Sequence, residues 1–195
     1  GSDSNVIAGN IIGLTFDGTT RVRNDQNGVL ITTGAQFNRV GTNGDGINDT
    51  NERNVISGNG TSSLLANINL VTAHHNRVSG NYVGITGDGL SAVTNPGRGI
   101  RVATGSTFNT IGTDGSSDAF NASERNVVSG HTDLGIFVVG SDDNILAGNY
   151  VGTTASGSAL IGNTGYGVYL TSSNRTRIGT NADGIGDAEE MNVIA

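Results

Sequence analysis

Three segments of this chain gather carboxylates and amides at intervals suited to a divalent cation. Gly41 to Arg53 reads Gly-Thr-Asn-Gly-Asp-Gly-Ile-Asn-Asp-Thr-Asn-Glu-Arg, Gly179 to Met191 repeats the pattern, and Gly112 to Arg125 is a longer relative. Counted against the twelve-residue calcium loop, Asn43, Asp45, Asp49 and Glu52 fall at ligand positions 3, 5, 9 and 12. Asn181, Asp183, Asp187 and Glu190 take the same places in the third segment, with Gly46 and Gly184 where the loop must turn. The first position, normally Asp, is Gly41 or Gly179, so one ligand is missing. The middle segment keeps Asp114, Asp118 and Glu124 without the turn glycine. Ca²⁺ is the cofactor expected at the first and third loops. The alternative is that Asn, Asp and Gly simply build turns, with Glu52–Arg53 and Glu124–Arg125 as local surface pairs.

Catalytic constellations are sparse. The histidines are His74, His75 and His131, and only His131 with Asp133 forms a local acid–base-like pair. Two carboxylates on one groove could serve glycoside hydrolysis, but here the acids recur in repeated loops and form no unique cluster. A catalytic site breaks a repeat once, and the least repetitive stretch is Thr61–His75. No Ser-His-Asp arrangement, zinc motif or phosphate loop is present.

The alphabet is skewed: 32 glycines and 24 asparagines in 195 residues, one proline, and no cysteine, tryptophan or lysine. So much glycine argues against long helices, and 14% charge is too little for a charged disordered chain. The net charge of −7 disfavours nucleic-acid binding, which needs excess cation to neutralise phosphate. No apolar run approaches the ~20 residues of a membrane span. Gly1-Ser2 reads as a cloning remnant, and the chain as one β-helix segment, residues 1–195, of a longer protein.

The elements that must position these residues come from repetition. Asn54-Val55-Ile56-Ser57-Gly58-Asn59 echoes Asn5–Asn10, Asn126–Gly130 and Asn144–Asn149. Asn81-Tyr82-Val83-Gly84 matches Asn149–Gly152, and Gly99-Ile100-Arg101-Val102 matches Gly28–Ile31, Gly135–Val138 and Gly167–Leu170. The three motifs recur in one cyclic order. Each is a short β-branched run bounded by Gly, Asn or Thr, which reads as a strand. Three strands per turn predict an all-β parallel β-helix of about five to six coils, whose core forms by stacking. A sandwich of hairpins would not bring the same motif to the same place in every turn.

Alternation then assigns faces. Inward columns include Asn5, Asn38, Asn76, Asn109 and Asn144, and Asn10, Asn54, Asn81, Asn126, Asn149 and Asn192, each able to bond its neighbours along the stack. Outward rows are the ligand-contact candidates. Arg39, Arg77 and Arg177 share one row and could pair with sugar carboxylates or sulfates, or instead neutralise the acidic loops. Arg101, Phe137 and Tyr169 share another and could stack on sugar faces. Ile11, Val55, Tyr82, Val127, Tyr150 and Val193 form an apolar row that needs a cover, either the long loops or a second subunit.

These motifs resemble the right-handed parallel β-helix proteins of the pectin-lyase-like superfamily. They are most similar to the Asn-Val-Ile-Ser-Gly-Asn repeat segments of large bacterial surface and secreted proteins. The resemblance implies a right-handed helix, an extracellular or cell-surface bacterial setting, and neighbouring coils from the rest of the parent chain. Function is less defined, because that superfamily holds lyases, hydrolases, epimerases, tailspikes, adhesins and inert spacers. The expected role is a non-catalytic stalk, adhesin or glycan-contacting module. The competing reading is a carbohydrate-active enzyme on an acidic polysaccharide.

Overall fold

A computed structural model describes residues 1–195. Two six-stranded sheets and one five-stranded sheet, all parallel, wind into a β-solenoid of three strands per coil. The first sheet stacks Val29–Thr32, Ala66–Val71, Arg98–Ala103, Ile136–Val139 and Val168–Thr171. The second begins with Val6–Ile7 and Arg39–Gly41 and ends with Arg177–Ile178. The third runs from Ile11–Ile12 to Val193–Ile194. Registers follow the motifs. Leu30, Asn69, Arg101, Phe137 and Tyr169 are successive partners, as are Ile11, Val55, Tyr82, Val127, Tyr150 and Val193.

One apolar column fills the interior, with Ile56, Ile68, Val78, Val83, Ile100, Ile111 and Val128 fully buried. Its end members are open: Ile178 is 45% and Ile194 49% exposed, because no coil covers them. The asparagines line two corners of this column. Along both ladders Nδ2, and at most positions the backbone N–H as well, donates to the Oδ1 of the asparagine on the next coil, as Asn38 does to Asn76 at 2.9 Å. Asn81 also donates Nδ2 to the Val40 and Ser79 carbonyls, which the bend would otherwise leave unpaired.

The corner between the first and second sheets turns on left-handed residues that are not glycine. Ser4, Phe37, His75, Phe108, Asp143 and Arg175 all have φ between 52° and 58°. This conformation is costly for such side chains, but it aims them outward in one column. The rings of Phe37, His75 and Phe108 stack at 5.3 and 5.0 Å, and Arg175 closes on Asp143 at 2.6 Å.

Candidate functional site

The three acidic loops link the second sheet to the third in alternate coils and lie one over another. A Cβ on Gly46 would come within 2.4 Å of the Phe120 ring of the next loop, so the turn there must be glycine. Ser123 of the middle loop donates to Asp49 of the first at 2.7 Å.

Within each loop the carboxylates face their own chain. Asp45 accepts from Asn43 Nδ2 and the Ile47 N–H at 2.8 Å each. Asp183 does the same with Asn181 and Ile185. Asp49 accepts from Thr42, Ser123 and the Gly46 N–H, and Asp187 from Thr180 and the Gly184 N–H. Burial pushes the Asp49 carboxyl up, but these hydrogen bonds more than offset that and leave it below the usual carboxylate range.

The glutamate expected at the bidentate calcium position has another use. Glu52 accepts from Arg39 at 2.8 Å and from the Asn43 N–H at 2.9 Å. Glu190 accepts from Arg177 at 2.8 Å and the Asn181 N–H at 2.9 Å. Glu124 accepts from Arg77 and the Asp114 N–H. Each glutamate latches its loop's first turn to an arginine on the sheet. For Glu52, burial raises the carboxyl, and the Arg39 hydrogen bond, the Asn43 N–H and the Arg39 charge bring it below its ordinary value. No three acidic or histidine side chains converge on a point that could hold a metal ion. Asn43, Asp45, Asp49 and Glu52, and likewise Asn181, Asp183, Asp187 and Glu190, thus form two turns latched by their own hydrogen bonds and by Arg39 and Arg177.

The arginine row is thereby committed to the loops: Arg39, Arg77 and Arg177 each meet a carboxylate. Burial is the main effect on Arg77, drawing its pKa down. The apolar row is covered as well. Val55 packs with Leu14 and Val93 of the long loops, and Val127 is buried. Arg53 lies 4.2 Å over the Tyr82 ring and Arg125 4.2 Å over Tyr150, so only the end members Ile11 and Val193 remain open.

The first-sheet row keeps exposed chemistry. Phe137 and Tyr169 stack at 5.4 Å, and Tyr166 tilts against Tyr169 at 5.2 Å. Phe137 is itself buried, with Arg98 4.6 Å above its face and paired to Asp133 at 3.0 Å. Arg101 gives one nitrogen to Asn69 at 3.2 Å and leaves Nε without a partner. Burial, then the nearby Arg98 charge, lowers its pKa.

His131 and Asp133 do not form an acid–base pair. Asp133 faces Arg98, and His131 is 1% exposed inside the corner between the third and first sheets. There it bonds Asn163 Oδ1 through Nδ1 and Asn67 Nδ2 through Nε2, both at 3.0 Å. An acceptor on one side and a donor on the other select the neutral Nδ1–H tautomer. Burial pushes its pKa down to about 4.

His131 belongs to a third polar column that the motif reading missed. Asn24, Asn59, Asn95 and Asn163 hold the equivalent corner on the other coils, bonded directly or through Asn67. The signal available was an Asn, or once a His, returning once per coil between the third and first motifs, blurred by loops of unequal length. The chain matches no family model, no curated protein and no solved structure.

Proposed function

We propose that this chain is a rigid, non-catalytic spacer from an extracellular bacterial surface protein of the Asn-Val-Ile-Ser-Gly-Asn repeat kind, within the pectin-lyase-like superfamily. The observation that carries the reading is that the groups an enzyme would need are already bonded to one another within the fold. Arg39, Arg77 and Arg177 hold loop glutamates, His131 is buried in an amide column, and the acids recur loop after loop. Hydrolysis or elimination needs an accessible acid or base of tuned pKa, and each of these groups is committed elsewhere. What such a lattice supplies is stiffness, because stacked coils share one continuous ladder of hydrogen bonds. The repeat motif itself supports the family and the surface setting.

A second role for the same rod, contact with glycan, is favoured by the exposed pair Tyr166 and Tyr169. Tyr166 and Tyr169 are 65% and 39% exposed and tilt against each other at 5.2 Å. Exposed aromatic faces suit the apolar face of a sugar ring.

The test is incubation with a panel of acidic and neutral polysaccharides, with and without Ca²⁺, following retention and new chain ends. New reducing ends or unsaturated products would sink the spacer reading. Retention without cleavage, abolished by Tyr169→Ala, supports glycan contact. Neither retention nor cleavage leaves the spacer alone.

A further inference from the structure

The corner between the first and second sheets asks for a left-handed residue on every coil, and glycine or asparagine would meet that demand at least cost. On three successive inner coils it is met by Phe37, His75 and Phe108, with φ of 56°, 54° and 57°. Phe37 and Phe108 are 61% and 53% exposed, and His75 is exposed between them. Bulky rings thus stand strained and in water, with no burial to offset the strain.

The rings form a slipped stack. Their planes lie within 19° of parallel, with centroids 5.3 and 5.0 Å apart. Rings in van der Waals contact are about 3.5 Å apart plane to plane, so each is displaced sideways by about 3–4 Å against the next. Much of each face is left uncovered. The ground around the rings is uncharged. The corners 33–37, 72–75 and 104–108 hold no aspartate, glutamate or arginine, in a chain of net charge −7. The next coil turns with Asp142 and Asp143, which ends the strip. The residue before each ring carries a hydrogen-bonding group, in turn Gln36, His74 and Thr107. His74 Nδ1 meets Thr107 Oγ1 at 2.9 Å, which leaves Nε2 free, and Gln36 bonds through its backbone alone.

We propose that this corner binds a neutral, extended polysaccharide lying along the rod, one sugar per coil. An extended β-1,4-linked hexose chain advances per sugar by closely the spacing of these rings. Its apolar C–H faces therefore fall in step over Phe37, His75 and Phe108, and its hydroxyls reach Gln36, His74 and Thr107. The lack of charge selects a neutral chain, since a uronate would bring negative charge to an acidic protein with no cation at this corner to meet it. The site adds a second, separate surface to the glycan-contact role and rests on that role; the spacer reading stands without it.

Calorimetric titration with β-1,4-linked glucose oligomers of increasing length tests this. Affinity is expected to climb with each sugar up to three and to gain little beyond, while α-1,4-linked oligomers, which curl, should not follow. Phe37→Asn and Phe108→Asn each remove a ring and install a residue that favours the left-handed corner, and an unchanged dichroism spectrum confirms that they fold. Each should weaken binding about tenfold. The ring protons of His75 should shift in magnetic resonance spectra on titration, and those of buried His131 should not. Binding that survives both asparagine variants but is lost in Tyr169→Ala overturns the corner site and leaves the glycan-contact role standing. No binding at any length overturns the corner site as well, and so does equal affinity for α- and β-linked chains.

Discussion

Arg77 and Glu124 sit on successive coils, and the ion pair they form crosses the joint between them. The other two latches are local: Arg39 and Arg177 each precede the loop whose glutamate they hold. On the middle loop's own coil that place is Thr110, so the cation comes from the coil before. Coils that hold one another's charges cannot unfold singly without leaving a carboxylate unpaired.

Arg77→Ala is expected to destabilise the fold by about 3–5 kcal/mol, because it strands a buried carboxylate. Glu124 is 1% exposed as a side chain, whereas Glu52 is 24% exposed, so Arg39→Ala should cost clearly less. Combining Arg77→Thr with Thr110→Arg moves the cation to the local position and should recover much of the loss. Urea denaturation of the three variants checks the order; equal losses for Arg77→Ala and Arg39→Ala would refute it.

Acid should weaken the fold through His131. Its folded pKa is about 4, against 6.5 for the free side chain. Between these values the unfolded chain binds a proton that the fold excludes. The stabilisation is thus complete above pH 6.5 and drains away as the pH falls towards 4. The full span corresponds to about 3 kcal/mol. Glu52 and Asp49, with pKa values lowered from 4.5 and 3.8, begin to lose their contributions only near pH 4.5 and below, at the acid end of this window. In His131→Asn, which installs the residue of the neighbouring coils, stability should be flat from pH 6.5 to 4.5. A slope equal to the parent's would show that another group titrates.

Because the loop glutamates are held by arginine and backbone, the melting temperature should not respond to millimolar Ca²⁺ or to chelator. A rise of several degrees with Ca²⁺, lost in Asp45→Ala with Asp183→Ala, would mean that the ion reorganises the latched turns.

Asparagine substitutions should grade along the stack. Asn81→Ala removes donors to Val40, Ser79 and Asn126 and the acceptor for Asn54. The expected cost is about 1–3 kcal/mol per buried group left unpaired. Asn10→Ala, on the exposed first coil, should cost much less by the same denaturation assay. Equal costs at both positions would mean that the ladder adds nothing beyond local bonding.

The first sheet was the most legible part of the fold. The period of two in Gly99-Ile100-Arg101-Val102 and its relatives dictates which residues point inward, and the cyclic order of motifs aligns Ile68 with Ile100 and Ile136. Both follow from local chain geometry, which is the same in every coil. The rows and the two asparagine ladders were therefore written in the spacing.

Partner choice was not. The calcium-like spacing of Asn43, Asp45, Asp49 and Glu52 places four oxygen-bearing residues on one loop, but spacing carries no direction. Only with Arg39 beneath the loop and the Asn43 N–H beside it does Glu52 turn to the sheet. Likewise, His131 and Asp133 are two residues apart along the chain, yet the corner sends one inward to Asn163 and the other out to Arg98. Local periodicity decided the strands, their faces and their order. Where each charge ends was decided by the coil stacked above or below, because a charge goes to the partner that best replaces its lost water, and that partner lies on another turn of the chain.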